Sequence, residues 1–139
     1  MTRSSSAQVV ALWVATVISA VSIGSTGLAI LFTTGEWNRL FASWGYPLWF
    51  MVAIGVTEVL GAAALFVRKI AWLGAFTLAA IMLGAYATLA THPGSHFFRG
   101  RQAPMGTTGP AVLFVLLVII GTGRWRQTRR LKLSGQAPA

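Results

Sequence analysis

The residues able to do chemistry are few, so their positions carry weight. The chain has 139 residues and only two carboxylates, Glu36 and Glu58. Glu58 sits within IGVTEVLGAAALF, residues 54–66, a run otherwise apolar except for Thr57. A charged acid at the centre of a membrane-spanning helix costs at least ~2.5–3.5 kcal/mol. Removal from water disfavours the charged form of a carboxyl, and a neutral Glu58 would both donate and accept hydrogen bonds. Such a group suits general acid–base work. It could protonate a quinone oxygen, an epoxide or an alkene-like substrate, or pass a proton on. The competing reading is structural, with Glu58 hydrogen-bonded to a neighbouring helix. Intramembrane polar contacts contribute only ~0.6 kcal/mol on average, and glutamine would serve nearly as well.

A second polar group lies in HPGSHFFRGR, residues 92–101. Histidine is a side chain that can take up or give a proton, and His92 could act at a substrate mouth. Arg99 and Arg101 could attract an anionic headgroup or substrate. His92 and His96 are four apart, but Pro93 and Gly94 argue against a helical pair presenting both rings. With no cysteine in the chain and no acid nearby, no metal site is expected. A single histidine as a haem ligand stays open. The bland reading of this segment is a solvated loop. Candidate partners for Glu58 are the hydroxyls of Ser19, Ser22, Ser25 and Thr26, which read as an interrupted polar stripe, and Tyr86 further along the chain.

These groups need elements to hold them. The composition is 55% hydrophobic and 9% charged, against about 25% charged in an ordinary soluble domain. A short chain this apolar has too little polar surface to cover a core, so a bilayer is the expected solvent. Four stretches, 4–35, 40–67, 70–91 and 102–123, carry no charge except Glu58. Each reaches the ~20 residues that a spanning helix requires, and lipid offers no partner to backbone that is not helical. The first run exceeds a signal-peptide core and is expected to be a retained helix.

The pattern predicts an all-α, integral membrane, antiparallel four-helix bundle in one domain over 1–139. Its helices are expected near 8–33, 47–67, 70–91 and 106–125, with a basic tail over 124–139. Four spans place Arg3, Arg68, Lys69, Arg124, Arg126, Arg129, Arg130 and Lys132 on one side, and Arg39, Arg99 and Arg101 on the other. This asymmetry predicts both termini in the cytoplasm and a multi-pass protein of the inner (plasma) membrane. The net charge of +9 is thus a membrane signal, and nucleic acid is not an expected partner. GEWNRLFASWGYP, from residue 35, reads as a connection in the outer interface. The long segment from His92 reads as free of regular structure. Gly61, Ala62, Ala63, Gly74, Ala75, Ala79, Ala80 and Gly84 read as small residues for close helix approach.

Taken in order, FASWGYP (41–47), GVTEVLGAAALF (55–66) and LGAFTLAAIMLGAYATLATH (73–92) resemble the DoxX-like family of small four-helix membrane proteins. The resemblance covers roughly residues 20–125. It implies association with membrane oxidoreductase complexes, one branch of the family supplying a subunit of a thiosulfate:quinone oxidoreductase. Members often carry a basic residue late in the first helix, in a pattern like Gly-Leu-x-Lys-Leu. The corresponding stretch here is GLAIL, residues 27–31, without a base.

The combined expectation is a lipophilic, quinone-like substrate at Glu58, with Glu58, Tyr86 and His92 as catalytic groups and Ser22, Ser25, Thr26 and Arg99 as substrate contacts. Electrons would come from a soluble or membrane redox partner or from a bound cofactor. Two alternatives stay open. One is a redox-neutral isomerase, cyclase or epoxide-opening enzyme using Glu58, and the other a non-catalytic anchor for a partner. Whether the chain is an enzyme is not decided by its sequence.

Overall fold

The computed structural model of the chain describes residues 6–32, 34–92, 97–98, 101–102 and 108–134. Its elements in chain order are α1 (Ser6–Phe32), α2 (Thr34–Ser43), α3 (Leu48–Ala64), α4 (Ala71–Thr91), β1 (Phe97–Phe98), β2 (Arg101–Gln102) and α5 (Thr108–Ser134). Three of the helices are long and apolar enough to cross a membrane: Val9–Phe32, Ala71–Thr91 and Thr108–Arg129. α3 has 17 residues, about 26 Å at 1.5 Å per residue. With α2 it makes a pair bent by 116°.

Large apolar side chains such as Val10, Val21, Leu60, Leu73, Leu83 and Ile119 face outward on these helices. In water they would form an extended hydrophobic surface of a kind that soluble monomers rarely expose. Against lipid tails they are the required surface. The chain is therefore a multi-pass membrane protein in contact with the bilayer.

α1 packs on α3, α3 on α4, α4 on α5, and α5 touches α1. The close pairs show the running directions. Gly24 lies against Ala62 and Gly27 against Glu58, while Gly55 meets Ile30. Advancing along α1 therefore means retreating along α3. Gly61 against Leu78, and Gly74 against Ala64, give the same antiparallel relation for α3 and α4. The turn between them is longer than Arg68-Lys69 alone. It runs from Leu65 to Ile70, with N–H groups of Leu65, Phe66 and Val67 bonded back to the last carbonyls of α3.

Two apolar clusters stack along the helices. One joins Ala20, Ile23, Ala62, Leu65, Ala75, Leu78, Leu117 and Ile120 toward the end bearing Arg68 and Arg124. The other joins Ile30, Phe41 and Met51, with Trp37, Trp44, Tyr46 and Phe50 around them, at the opposite end.

Four local expectations change. The segment read as a connection is helical over Thr34–Ser43. It is amphipathic, burying Phe41 while Glu36 and Arg39 stay exposed, which suits a helix lying in an interface. It ends at Ser43, and Gly45, with a φ of 79°, turns the chain into Pro47 and α3. The segment after His92 holds a short antiparallel pairing, Phe97 with Gln102 and Phe98 with Arg101. Aromatic residues favour extended backbone, and pairing satisfies its polar groups. α5 runs on to Ser134 instead of stopping near residue 125, because RWRQTRRLKL consists mostly of good helix formers. Finally, Ala63, Ala80 and Gly84 face outward and do not serve helix approach, and a Cβ on Gly84 would meet nothing within 4 Å.

Candidate functional site

Glu58 is 3% exposed, and its Oε2 has no hydrogen-bond partner. The sequence around it explains the enclosure. Each residue of an α-helix advances about 100° around the axis, so Gly55 and Ala62 lie on one flank of Glu58 and Gly61 and Ala64 on the other. The first flank meets α1 and the second meets α4. Glu58 lies between them and is aimed at the interior. A Cβ added to Gly27 would fall 2.9 Å from Glu58 Cβ and 2.9 Å from the Gly55 carbonyl oxygen. The backbone of α1 is therefore pressed against the stem of the carboxylate. Along α3, Met51 belongs to one apolar cluster and Ala62 to the other, so Glu58 marks the seam between them.

The helix 1 hydroxyls are not where a polar stripe would put them. Ser19 is fully buried, but Ser22 and Ser25 are exposed and Thr26 is only half-buried. The reason is geometric. A spacing of three falls short of the 3.6-residue turn by about 60° each time, so Ser19, Ser22 and Ser25 drift around the helix. The hydroxyls of Ser25 and Thr26 donate to the Ser22 carbonyl at 2.9 and 3.0 Å. They are satisfied within their own helix. Ser19 lies eight residues before Gly27, about 12 Å of rise, toward the Arg124 end, and its Oγ is also without a partner. Thr57 donates to the Ala53 carbonyl and takes no part.

Tyr86 follows Met82 by one turn on the same side of α4, yet it is 42% exposed. It sits where the tight packing ends and is not enclosed with Glu58. His92 caps the end of α4. Its Nδ1 lies 3.0 Å from the Thr88 carbonyl oxygen and 3.1 Å from Thr91 Oγ1. Arg99 and His96 lie outside the described residues, and Arg101 is placed in β2 by its backbone. Among the described residues no group of three or more His, Cys, Asp or Glu side chains could hold a metal.

Three features escaped the sequence reading. Tyr46 OH pairs with Thr88 Oγ1 at 3.0 Å and ties the entry of α3 to the end of α4. Its ring also packs on Phe41 and Phe50. Gly27 and Gly55 were not singled out as the floor beneath Glu58, although two glycines on facing helices are the ordinary signal for close backbone approach. Arg124, read as the first residue of the basic tail, is 5% exposed and stacks on Trp13, with Cζ 4.7 Å from the ring centroid.

A set of antiparallel apolar helices around one enclosed carboxylate defines a polytopic membrane protein with a single interior acid. The DoxX-like family profile matches residues 14–120, and the chain belongs to that family. No curated protein matches the chain, and no solved structure does. In GLAIL, the fourth residue, where the Gly-Leu-x-Lys-Leu pattern would have a base, is Ile30. It is buried with Phe41 and Met51, against Gly55, one turn along α3 from Glu58.

Proposed function

We propose that the chain is a four-helix DoxX-like membrane protein with both termini in the cytoplasm, and that it handles a quinone-like lipophilic molecule at Glu58. Glu58 exchanges a proton with an oxygen of that molecule as electrons arrive from, or leave to, a partner protein. This makes the chain an oxidoreductase-associated subunit of the inner (plasma) membrane. The observation that carries the reading is the enclosed Glu58 with Oε2 unpartnered. A carboxylate kept for helix pairing would be expected to use both oxygens, and the nearby hydroxyls of Ser25 and Thr26 are engaged elsewhere. Ionisable groups within spans are retained mainly for function. Enclosure by the glycine backbones of α1 and α3 leaves the acid in apolar surroundings suited to proton exchange.

The test compares wild type with Glu58→Met, both purified in mild detergent, for co-purified lipophilic molecules by mass spectrometry and for binding of an added short-chain benzoquinone. The wild type is expected to retain or bind a quinone, and a folded Glu58→Met protein to lose at least ~10-fold in affinity, about the worth of one lost charged or strong hydrogen bond. Equal binding by the two proteins would remove Glu58 from the reading.

A further inference from the structure

Arg124 presents a separate problem. It is 5% exposed, and Nε and Nη2 have no hydrogen-bond partner. Its only described contact of note is the Trp13 ring. The charged group that acts on it is Arg68, another cation. Among the described residues no acidic side chain is placed to pair with it, since Glu58 lies at the seam between the clusters and Glu36 on α2 at the far end. Leaving a buried guanidinium unpaired is strongly unfavourable, so a counter-charge from outside these helices would stabilise it.

We propose that the corner formed by Arg124, Trp13 and Arg68 binds the phosphate of an anionic membrane lipid. A guanidinium fork matches two phosphate oxygens. Arg68, exposed on the α3–α4 turn, supplies a second cation to the same group. Trp13 is 41% exposed, so the corner borders the lipid, and tryptophan is the side chain that settles at headgroup depth. The stacked ring covers one face of the Arg124 guanidinium, and a phosphate pairing with Nε and Nη2 displaces the side chains that close over that edge. The site is distinct from Glu58 and does not depend on the function proposed for it.

The experiment uses full-length protein stripped of lipid in detergent. Palmitoyl-oleoyl phosphatidylglycerol, phosphatidylcholine with the same chains, or inorganic phosphate is added, and thermal unfolding and native mass spectra are recorded. Phosphatidylglycerol is expected to raise the wild-type Tm by about 5 °C more than phosphatidylcholine, as saturation of one specific site would, and to remain as one tightly held molecule in the spectrum. Arg124→Gln and Arg68→Gln should each lose at least half of that difference, while Arg126→Gln, exposed in the basic tail, should keep it. If inorganic phosphate reproduces the shift, the phosphate site stands and its source is soluble. Should Arg124→Gln not fold, Arg68→Gln and the wild-type spectrum decide. An undiminished shift in Arg68→Gln, an equal loss in Arg126→Gln, or equal effects of the two lipids on the wild type would overturn the proposal.

Discussion

At the scale of single residues, the unpartnered oxygen of Glu58 sets up an opposition between stability and function. A buried polar group without a partner costs about 1–3 kcal/mol. Methionine has nearly the same volume and no such demand. Glu58→Met is therefore expected to stabilise the protein by about 1–3 kcal/mol while removing quinone binding, the trade-off common at functional sites. Unfolding in detergent, followed by circular dichroism, measures the first effect. A fall in Tm would instead mean that Glu58 has a structural partner. Two glycines give a matched pair of controls. Gly27→Val would drive a side chain into Glu58 and into the Gly55 carbonyl, and backbone cannot step aside as a flexible side chain can. Overpacking of this kind costs about 1–3 kcal/mol. Gly84→Ala meets only open space and should raise stability by about 0.4–1 kcal/mol by restricting the unfolded chain. The same thermal assay ranks the two variants with opposite signs.

At the scale of elements, the connection from α2 into α3 is held by the aromatic ring and hydroxyl of Tyr46. Tyr46→Phe removes one hydrogen bond, but Thr88 Oγ1 keeps its bond to the Gly84 carbonyl at 3.0 Å, so nothing is left orphaned. The expected loss is about 0.5–1.5 kcal/mol, and Tyr46→Ala should lose more because the contacts with Phe41 and Phe50 go too. Equal Tm values for the phenylalanine variant and wild type would show that the hydroxyl does not hold the bend. How far such elements could be read in advance depends on the kind of signal. Long charge-free runs fix helices without tertiary help, and α1, α3 and α4 fall within a few residues of their expected bounds. Glu58 stood out because its chemistry clashes with its neighbours in sequence. The hydroxyls of helix 1 did not fall into place, because spacing alone does not say which face of α1 meets α3. That face is set by Gly24, Gly27 and Ile30. The helix α2 was hidden because its polar and aromatic mixture resembles a loop until its buried side is known. Tyr46 with Thr88, and Trp13 with Arg124, are far apart in the chain and meet only through the antiparallel packing.

At the scale of the whole molecule, the number of crossings decides where everything else lies. Charge cannot decide it. If α3 crosses, the side with eight basic residues contains Arg3 and the side with three contains Arg39. If it does not, Arg3 and Arg39 change places, Arg99 and Arg101 stay on the side of three, and the division is again eight to three. Geometry separates the cases. α3 runs antiparallel to α1 from Gly55–Ile30 to Ala62–Gly24, and antiparallel to α4 from Gly61–Leu78 to Ala64–Gly74. A helix flanked by two spanning helices over that length shares their depth, and its outward side chains, such as Leu60 and Val56, are apolar. The expected topology therefore has four crossings, with Ala42 on one side and Lys69 and Gln127 on the other. The chain contains no cysteine, so single thiols can be introduced at these exposed positions without background. Ala42→Cys should react with a membrane-impermeant maleimide in intact cells, and Lys69→Cys and Gln127→Cys only after permeabilisation. Labelling of Ala42→Cys only after permeabilisation, together with the other two, would mean that α3 does not cross. Glu58 would then lie on a re-entrant helix open to one face, and the enclosed proton-exchange site proposed here would have to be abandoned.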